Sequence, residues 1–132
     1  MLEVDVVRIS VIVPIYNVKL YIERCVRSLM EQTLENIEFI FVNDCTPDDS
    51  MDILHYVLEE YPKRREQIKI IEHETNRGIS AVRNTGLKNA TGQYIIYCDS
   101  DDWVEKNMYE KLLVKALETS ADIVGCDFFD DY

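Results

Sequence analysis

The chain has 132 residues, with 14 Lys and Arg against 25 Asp and Glu, for a formal charge of −11 at pH 7. That balance excludes a nucleic-acid binder relying on bulk positive charge. Hydrophobic residues make up 47% of the chain and only 4 Gly and 3 Pro interrupt it, which excludes a disordered or fibrous polymer and predicts one folded domain around one core.

The longest apolar stretches, 11–15 and 39–42, fall far short of the ~20 residues that a membrane helix needs. The N-terminus lacks the basic-then-apolar order of a secretory leader. The expectation is a cytoplasmic protein without a transmembrane segment, at most peripheral to the inner face of the membrane. Cysteines 25, 45, 98 and 126 form no C-x-x-C pair, and only His55 and His73 could assist them, so free thiols are expected rather than a zinc site.

In chain order, residues 8–14 (RISVIVP) are β-branched and stop at proline, which predicts a buried strand that delivers Tyr16 and Asn17 into a turn. Over residues 19–30, apolar side chains recur at three- and four-residue spacing, the pattern of a helix with one buried stripe. A second strand is predicted over 38–43. The turn 44–49 (DCTPDD) carries helix-start residues ahead of a helix marked by Met51, Leu54, Leu58 and Tyr61. A third strand (68–72), a helix (79–90), a fourth strand (94–98), a helix (106–118) and a fifth strand (123–126) complete the alternation. Apolar strands alternating with helices predict an α/β domain of three α/β/α layers with a mainly parallel, Rossmann-like sheet. Ligands of such sheets bind beyond the carboxyl ends of the strands, which directs attention to residues 14–17, 43–49 and 99–102.

The strongest local signal is Asp99-Ser100-Asp101-Asp102, where an apolar strand gives way to a loop. If the chain stays extended, Asp99 and Asp101 share a side and can converge. Two converging carboxylates repel unless a hard divalent cation, Mn2+ or Mg2+, neutralises them, and such an ion keeps positions open for phosphate. The competing reading is a solvated turn that caps the following helix. Asp44 could accept a base N–H or cap a turn, Tyr16 could edge a base or simply pack, and Arg77 and Arg83 could balance phosphate or remain surface residues.

Taken in order, SVIVPIYN (10–17), SLMEQT (28–33), IFVNDCTPDDS (40–50), NRGISAVRNTGL (76–87), ATGQYIIYCDSDDW (90–103) and ADIVGCDFF (121–129) resemble the N-terminal half of inverting family 2 glycosyltransferases with the GT-A fold. The resemblance implies a nucleotide-diphosphate sugar donor, commonly UDP-linked, and a glycan or lipid-linked acceptor. It implies donor binding by Pro14, Tyr16, Asn17, Asp44, Arg83, Asn84, Asp99 and Ser100, with Asp101 and Asp99 on the metal. It further implies that residues 1–132 are one nucleotide-sugar-binding domain that stops before the acceptor-binding part. Apolar surface left uncovered there would favour self-association.

Two departures from the family pattern stand out. The usual D-D-G-S reads Asn43-Asp44-Cys45-Thr46, without the first acid and the turn glycine. No residue matches the family's general base, which is expected downstream of Tyr132, and Asp127, Asp130 and Asp131 are not assigned to it. The chain alone is therefore expected to bind nucleotide weakly with metal and to transfer sugar poorly or not at all. The alternative is a noncatalytic ligand-binding or signalling module whose acidic loop holds Mg2+. A receiver-like module of that kind would carry a lysine after its last strand, which residues 123–127 lack.

Overall fold

Four parallel strands in the order β3-β2-β1-β4 form the sheet of this computed structural model, which describes residues 6–119. The central strand β1 (Ile9–Ile15) is buried at every position but Pro14, as its β-branched run requires. Proline inside a central strand normally removes a ladder hydrogen bond. Here Ile12 O already accepts the last bond from the β4 side, from Cys98 N at 2.9 Å. Two residues on, the missing Pro14 N–H faces the same side beyond the end of β4 (Tyr94–Tyr97), so no bond is lost.

From β1 the chain passes through helix α1 (Ile22–Met30) to β2 (Ile37–Asn43), then through α2 (Ser50–Leu58) to β3 (Ile68–Glu72). Helix α3 (Ile79–Lys88) returns across the sheet to β4, and α4 (Met108–Thr119) follows. A parallel crossover is right-handed, so reversing the direction of travel moves the connecting helix to the other face. The core divides accordingly. Val11, Val13, Phe39 and Phe41 pack with Cys25, Val26 and Leu29 of α1, Leu54 of α2 and Leu113 of α4. On the opposite face Ile12, Ile40 and Val42 pack against Val82 of α3. Helices thus cover both faces, the three-layer arrangement expected.

Gly86 is what lets α3 lie this close, because a Cβ there would come within 2.4 Å of Ile12 Cγ2. The thinner α3 side leaves Ile79, Leu87 and Tyr97 nearly half exposed. Among the described residues no helix is long and apolar enough to cross a membrane.

Two features differ from the sequence expectation. Helix α1 begins at Ile22 rather than residue 19, because Val18 O takes both Tyr21 N and Ile22 N in a turn and residues 17–19 are held by the following loop. A 3-10 helix, Pro62–Gln67, was not foreseen, although Pro62 at its start is suited to that place. Its Arg64 donates to the carbonyls of Met30, Gln32 and Leu34, which satisfies the orphan acceptors around the end of α1. The fifth strand over 123–126 lies outside the described residues.

Candidate functional site

Strand order reverses between β1 and β4, so the crevice beyond their carboxyl ends is where a ligand is expected. The structure brings the predicted loops together at that end of the sheet and shows what holds each one.

The loop after β1 carries Tyr16, exposed at 42%, and Asn17, whose φ of 53° lies in the left-handed region that asparagine tolerates. Its backbone is held by the loop after β2. Asn17 N donates to Thr46 Oγ1 at 2.9 Å, Val18 N to Ser50 Oγ at 3.2 Å, and Lys19 N to Asp48 Oδ2 at 3.2 Å. Asp48 Oδ1 also accepts from Thr46 Oγ1, Ser50 N and Ser50 Oγ. Burial alone would raise the pKa of Asp48, but these hydrogen bonds outweigh it and hold the carboxyl down at about 2.

Asn43 and Cys45 occupy the positions where the resemblance placed its departures. Asn43 Oδ1 accepts Thr46 N three residues on at 2.9 Å, a bond that a carboxylate would make equally well. Cys45 adopts φ 59°, so the left-handed turn that favours glycine is kept with a cysteine in it. Cys45 is exposed and does not serve as a core hydrophobe, unlike Cys25 and Cys98.

Asp44 is only 3% exposed and follows the last residue of β2. Its Oδ1 accepts from His73 Nδ1 at 2.8 Å and Arg77 N at 2.9 Å, and its Oδ2 from Gly78 N at 2.9 Å. Burial pushes this carboxyl up, but His73 and the two backbone N–H groups pull it net below the ordinary range. Both sequence readings of Asp44 therefore have a footing: it organises the turn before α3, and three of about four acceptor positions are in use. His73 Nε2 in turn lies 2.7 Å from Thr85 Oγ1 on α3.

The acidic loop converges for a different reason from the one expected. Residues 99–102 form a turn closed by Asp102 N to Asp99 O at 3.0 Å, not an extended segment. This brings Asp102 in as a third carboxylate, with one oxygen each of Asp99, Asp101 and Asp102 lying within 4.8 Å of one another. All three are exposed, and no described residue gives their side chains a hydrogen bond or an ion pair. Partial burial raises the pKa of Asp102, and the nearby Asp101 and Asp99 carboxylates raise it further. Three hard oxygen donors held together at electrostatic cost fit a divalent cation such as Mn2+ or Mg2+.

The neighbours of this loop anchor it. Ser100 is 3% exposed and donates to Pro14 O at 2.6 Å, so it ties the β4 loop to β1 rather than presenting its hydroxyl to a ligand. The Cys25 and Cys98 thiols both reach Asp99 O, at 3.8 and 3.7 Å, and contact with Cys98 together with burial raises the Cys25 thiol. On α3, Arg83 and Asn84 are exposed. The Arg83 guanidinium lies 5.2 Å from the Tyr97 ring, one strand residue from the turn into the acidic loop. Sequence reasoning missed His73, Thr85 and the tethering role of Asp48. For His73 the available signal was its place directly after the third strand.

A sequence model described as glycosyl transferase family 2 matches residues 10–132. The chain is 48% identical over 121 residues to the uncharacterized glycosyltransferase EpsJ of Bacillus subtilis (strain 168), covering 92% of this chain and 34% of that protein. It also resembles S. aureus TarS 1-349 solved in complex with UDP, at TM-score 0.73 and 32% identity, over 84% of this chain and 32% of that one. A further likeness, at TM-score 0.68 and 28% identity, is to the mannosyltransferase PcManGT from Pyrobaculum calidifontis in complex with GDP-Man and Mn2+, over 73% of this chain and 28% of that one. The chain thus spans about a third of the length of these relatives. With this fold, this order of motifs and these similarities, the chain belongs to glycosyl transferase family 2, as a portion with the GT-A fold.

Proposed function

We propose that the chain is the donor-binding part of an inverting, metal-dependent glycosyltransferase that takes a sugar from a UDP-linked donor and delivers it to the hydroxyl of a glycan or lipid-linked acceptor. The acidic triad at the reversal point of the sheet carries this reading. Its three carboxylates lie within reach of one another and receive no hydrogen bond or ion pair from the described residues. A diphosphate approaching three carboxylates in a chain of charge −11 is repelled unless a cation arrives with it.

Asp99, Asp101 and Asp102 would hold Mn2+ or Mg2+, which when bound supplies positive charge opposite a departing diphosphate. The chain's own residues do the rest of the donor binding. Tyr16 offers a half-exposed ring to the base, Asp44 a hydrogen-bond acceptor, Asn17 and Pro14 the backbone floor between them, and Ser100 the tie that fixes the acidic turn. Arg83 and Asn84 line the α3 side, where the guanidinium offsets part of the diphosphate charge. No general base is assigned among the described residues, and by itself the chain is expected to bind donor and to turn over poorly or not at all.

Calorimetry with UDP in the presence and absence of Mn2+, on the intact chain and on Asp101→Ala, tests the reading. Binding that requires Mn2+ and is lost in the variant is expected. The absence of any metal-linked UDP signal in the intact chain would favour a noncatalytic module instead.

A further inference from the structure

We propose that His73 is a positioning residue that leaves Asp44 a single free acceptor position and thereby selects a uracil imide N–H over the paired donors of guanine. The inference rests on the donor-binding reading above and deepens it, because solved relatives include complexes of both a UDP and a GDP type.

A carboxylate offers about four acceptor positions, two on each oxygen. On Asp44, both positions of Oδ1 are taken, by His73 Nδ1 and Arg77 N, and one position of Oδ2 is taken by Gly78 N. One acceptor remains. Ionised Asp44 can only accept, so His73 donates to it from Nδ1–H, and its Nε2 is engaged by the Thr85 hydroxyl at 2.7 Å. The ring is 4% exposed at its side chain and Asp44 5%, so water does not compete for these positions. His73 is also fixed along its backbone by His73 N to Asn43 O at 2.9 Å. The carboxylate is thus locked from β3 and from α3 at once, and it cannot turn both oxygens toward a ligand.

The two bases differ in what they demand of it. Guanine presents two adjacent N–H donors, which a carboxylate satisfies by offering one oxygen to each. Uracil presents one imide N–H between two carbonyl oxygens, which a single acceptor satisfies. Docked on the one remaining position, guanine would leave a donor desolvated and unpaired, and sites built around a hydrogen bond discriminate most strongly on that ground.

The test measures UDP and GDP binding in saturating Mn2+ by calorimetry for the intact chain, His73→Leu, His73→Asn and Thr85→Val. Mn2+ affinity without nucleotide is measured in parallel by electron paramagnetic resonance. The intact chain is expected to favour UDP by about tenfold or more. His73→Leu should narrow the preference to about threefold or less by freeing a second acceptor position, on Oδ1, and Thr85→Val should narrow it partially. His73→Asn, whose amide can replace Nδ1–H, should restore most of it. Mn2+ affinity should be unchanged throughout, which a general loss of structure would not permit. Should His73→Leu fail to fold, Thr85→Val decides. Equal binding of UDP and GDP by the intact chain overturns the inference while leaving the donor-binding reading intact. A preference unmoved in both His73→Leu and Thr85→Val, or not restored by His73→Asn, also overturns it. No metal-linked binding of either nucleotide overturns both.

Discussion

Asp48→Asn isolates the electrostatic part of the tether between the first two loops of the site. The Asp48 carboxylate accepts from Lys19 N, Ser50 N, Ser50 Oγ and Thr46 Oγ1, which holds its carboxyl at about 2 against an ordinary 3.8. At about 1.36 kcal/mol per pH unit, that displacement sets a ceiling of about 2.5 kcal/mol on its contribution. Asp48 is partly exposed, so screening reduces the expected figure to about 1–2 kcal/mol. A carboxyl depressed in the folded state contributes stability that is complete above the unfolded value and disappears as pH falls through the folded one. Urea unfolding of both proteins from pH 7 downward should therefore show a constant gap of about 1–2 kcal/mol above about pH 4 that closes toward about pH 2. Asp44 and Glu38, also depressed, are present in both proteins and cancel to first order in the difference. A gap below about 0.3 kcal/mol at pH 7, or one that persists unchanged into acid, would refute the assignment.

Cys45→Gly should unfold at the same or slightly higher urea concentration, gaining up to about 1 kcal/mol, because relief at φ 59° is partly offset by the freer unfolded chain. Cys45→Val should lose about 1–2 kcal/mol in the same assay. Gly86→Ala brings a methyl within 2.4 Å of buried Ile12, and despite the better helix propensity it should cost about 1–2 kcal/mol, with Ile12→Ala relieving the clash in a double-mutant cycle. Removing a neighbouring charge by Asp101→Asn should lower the pKa of Asp102, as should adding diamagnetic Mg2+ to the intact chain, both followed by carboxyl NMR titration.

How much of this was legible in the sequence depends on how local each signal is. The runs around Val11 and Phe39 specify buried parallel strands by composition alone, the run around Ile95 a less covered one, and the acidic turn announces itself where that last run ends. The tethers do not announce themselves, because each joins residues far apart in the chain. Asp48 reaches Lys19 across 29 positions, and Asp44 reaches Gly78 across 34. Read alone, Asp48 resembles a helix-start residue, and His73 a stray histidine after a strand. The convergence of Asp99 and Asp101 was anticipated from strand alternation, which fails here because the backbone turns at Ser100 as soon as that hydroxyl finds Pro14 O.

The same tethers explain why the electrostatic burden of the site falls on one loop. In the first two loops Asp44 and Asp48 are supplied with donors from neighbouring backbone, so their negative charge is stabilised before any ligand arrives. The third loop has no such supply, since its one buried side chain, Ser100, spends its only proton on β1. Its three carboxylates therefore keep their mutual repulsion, and free energy is available there to whatever cation relieves it. Geometry and charge are thus assigned to different places. The β1 and β2 loops fix a rigid, internally satisfied floor that can discriminate the shape and donors of a base, while the β4 loop is tuned by ion binding. Variants in the first group should alter which nucleotide binds, and variants in the second should alter how strongly binding depends on metal, a separation that a noncatalytic module with a single acidic loop would have no reason to show.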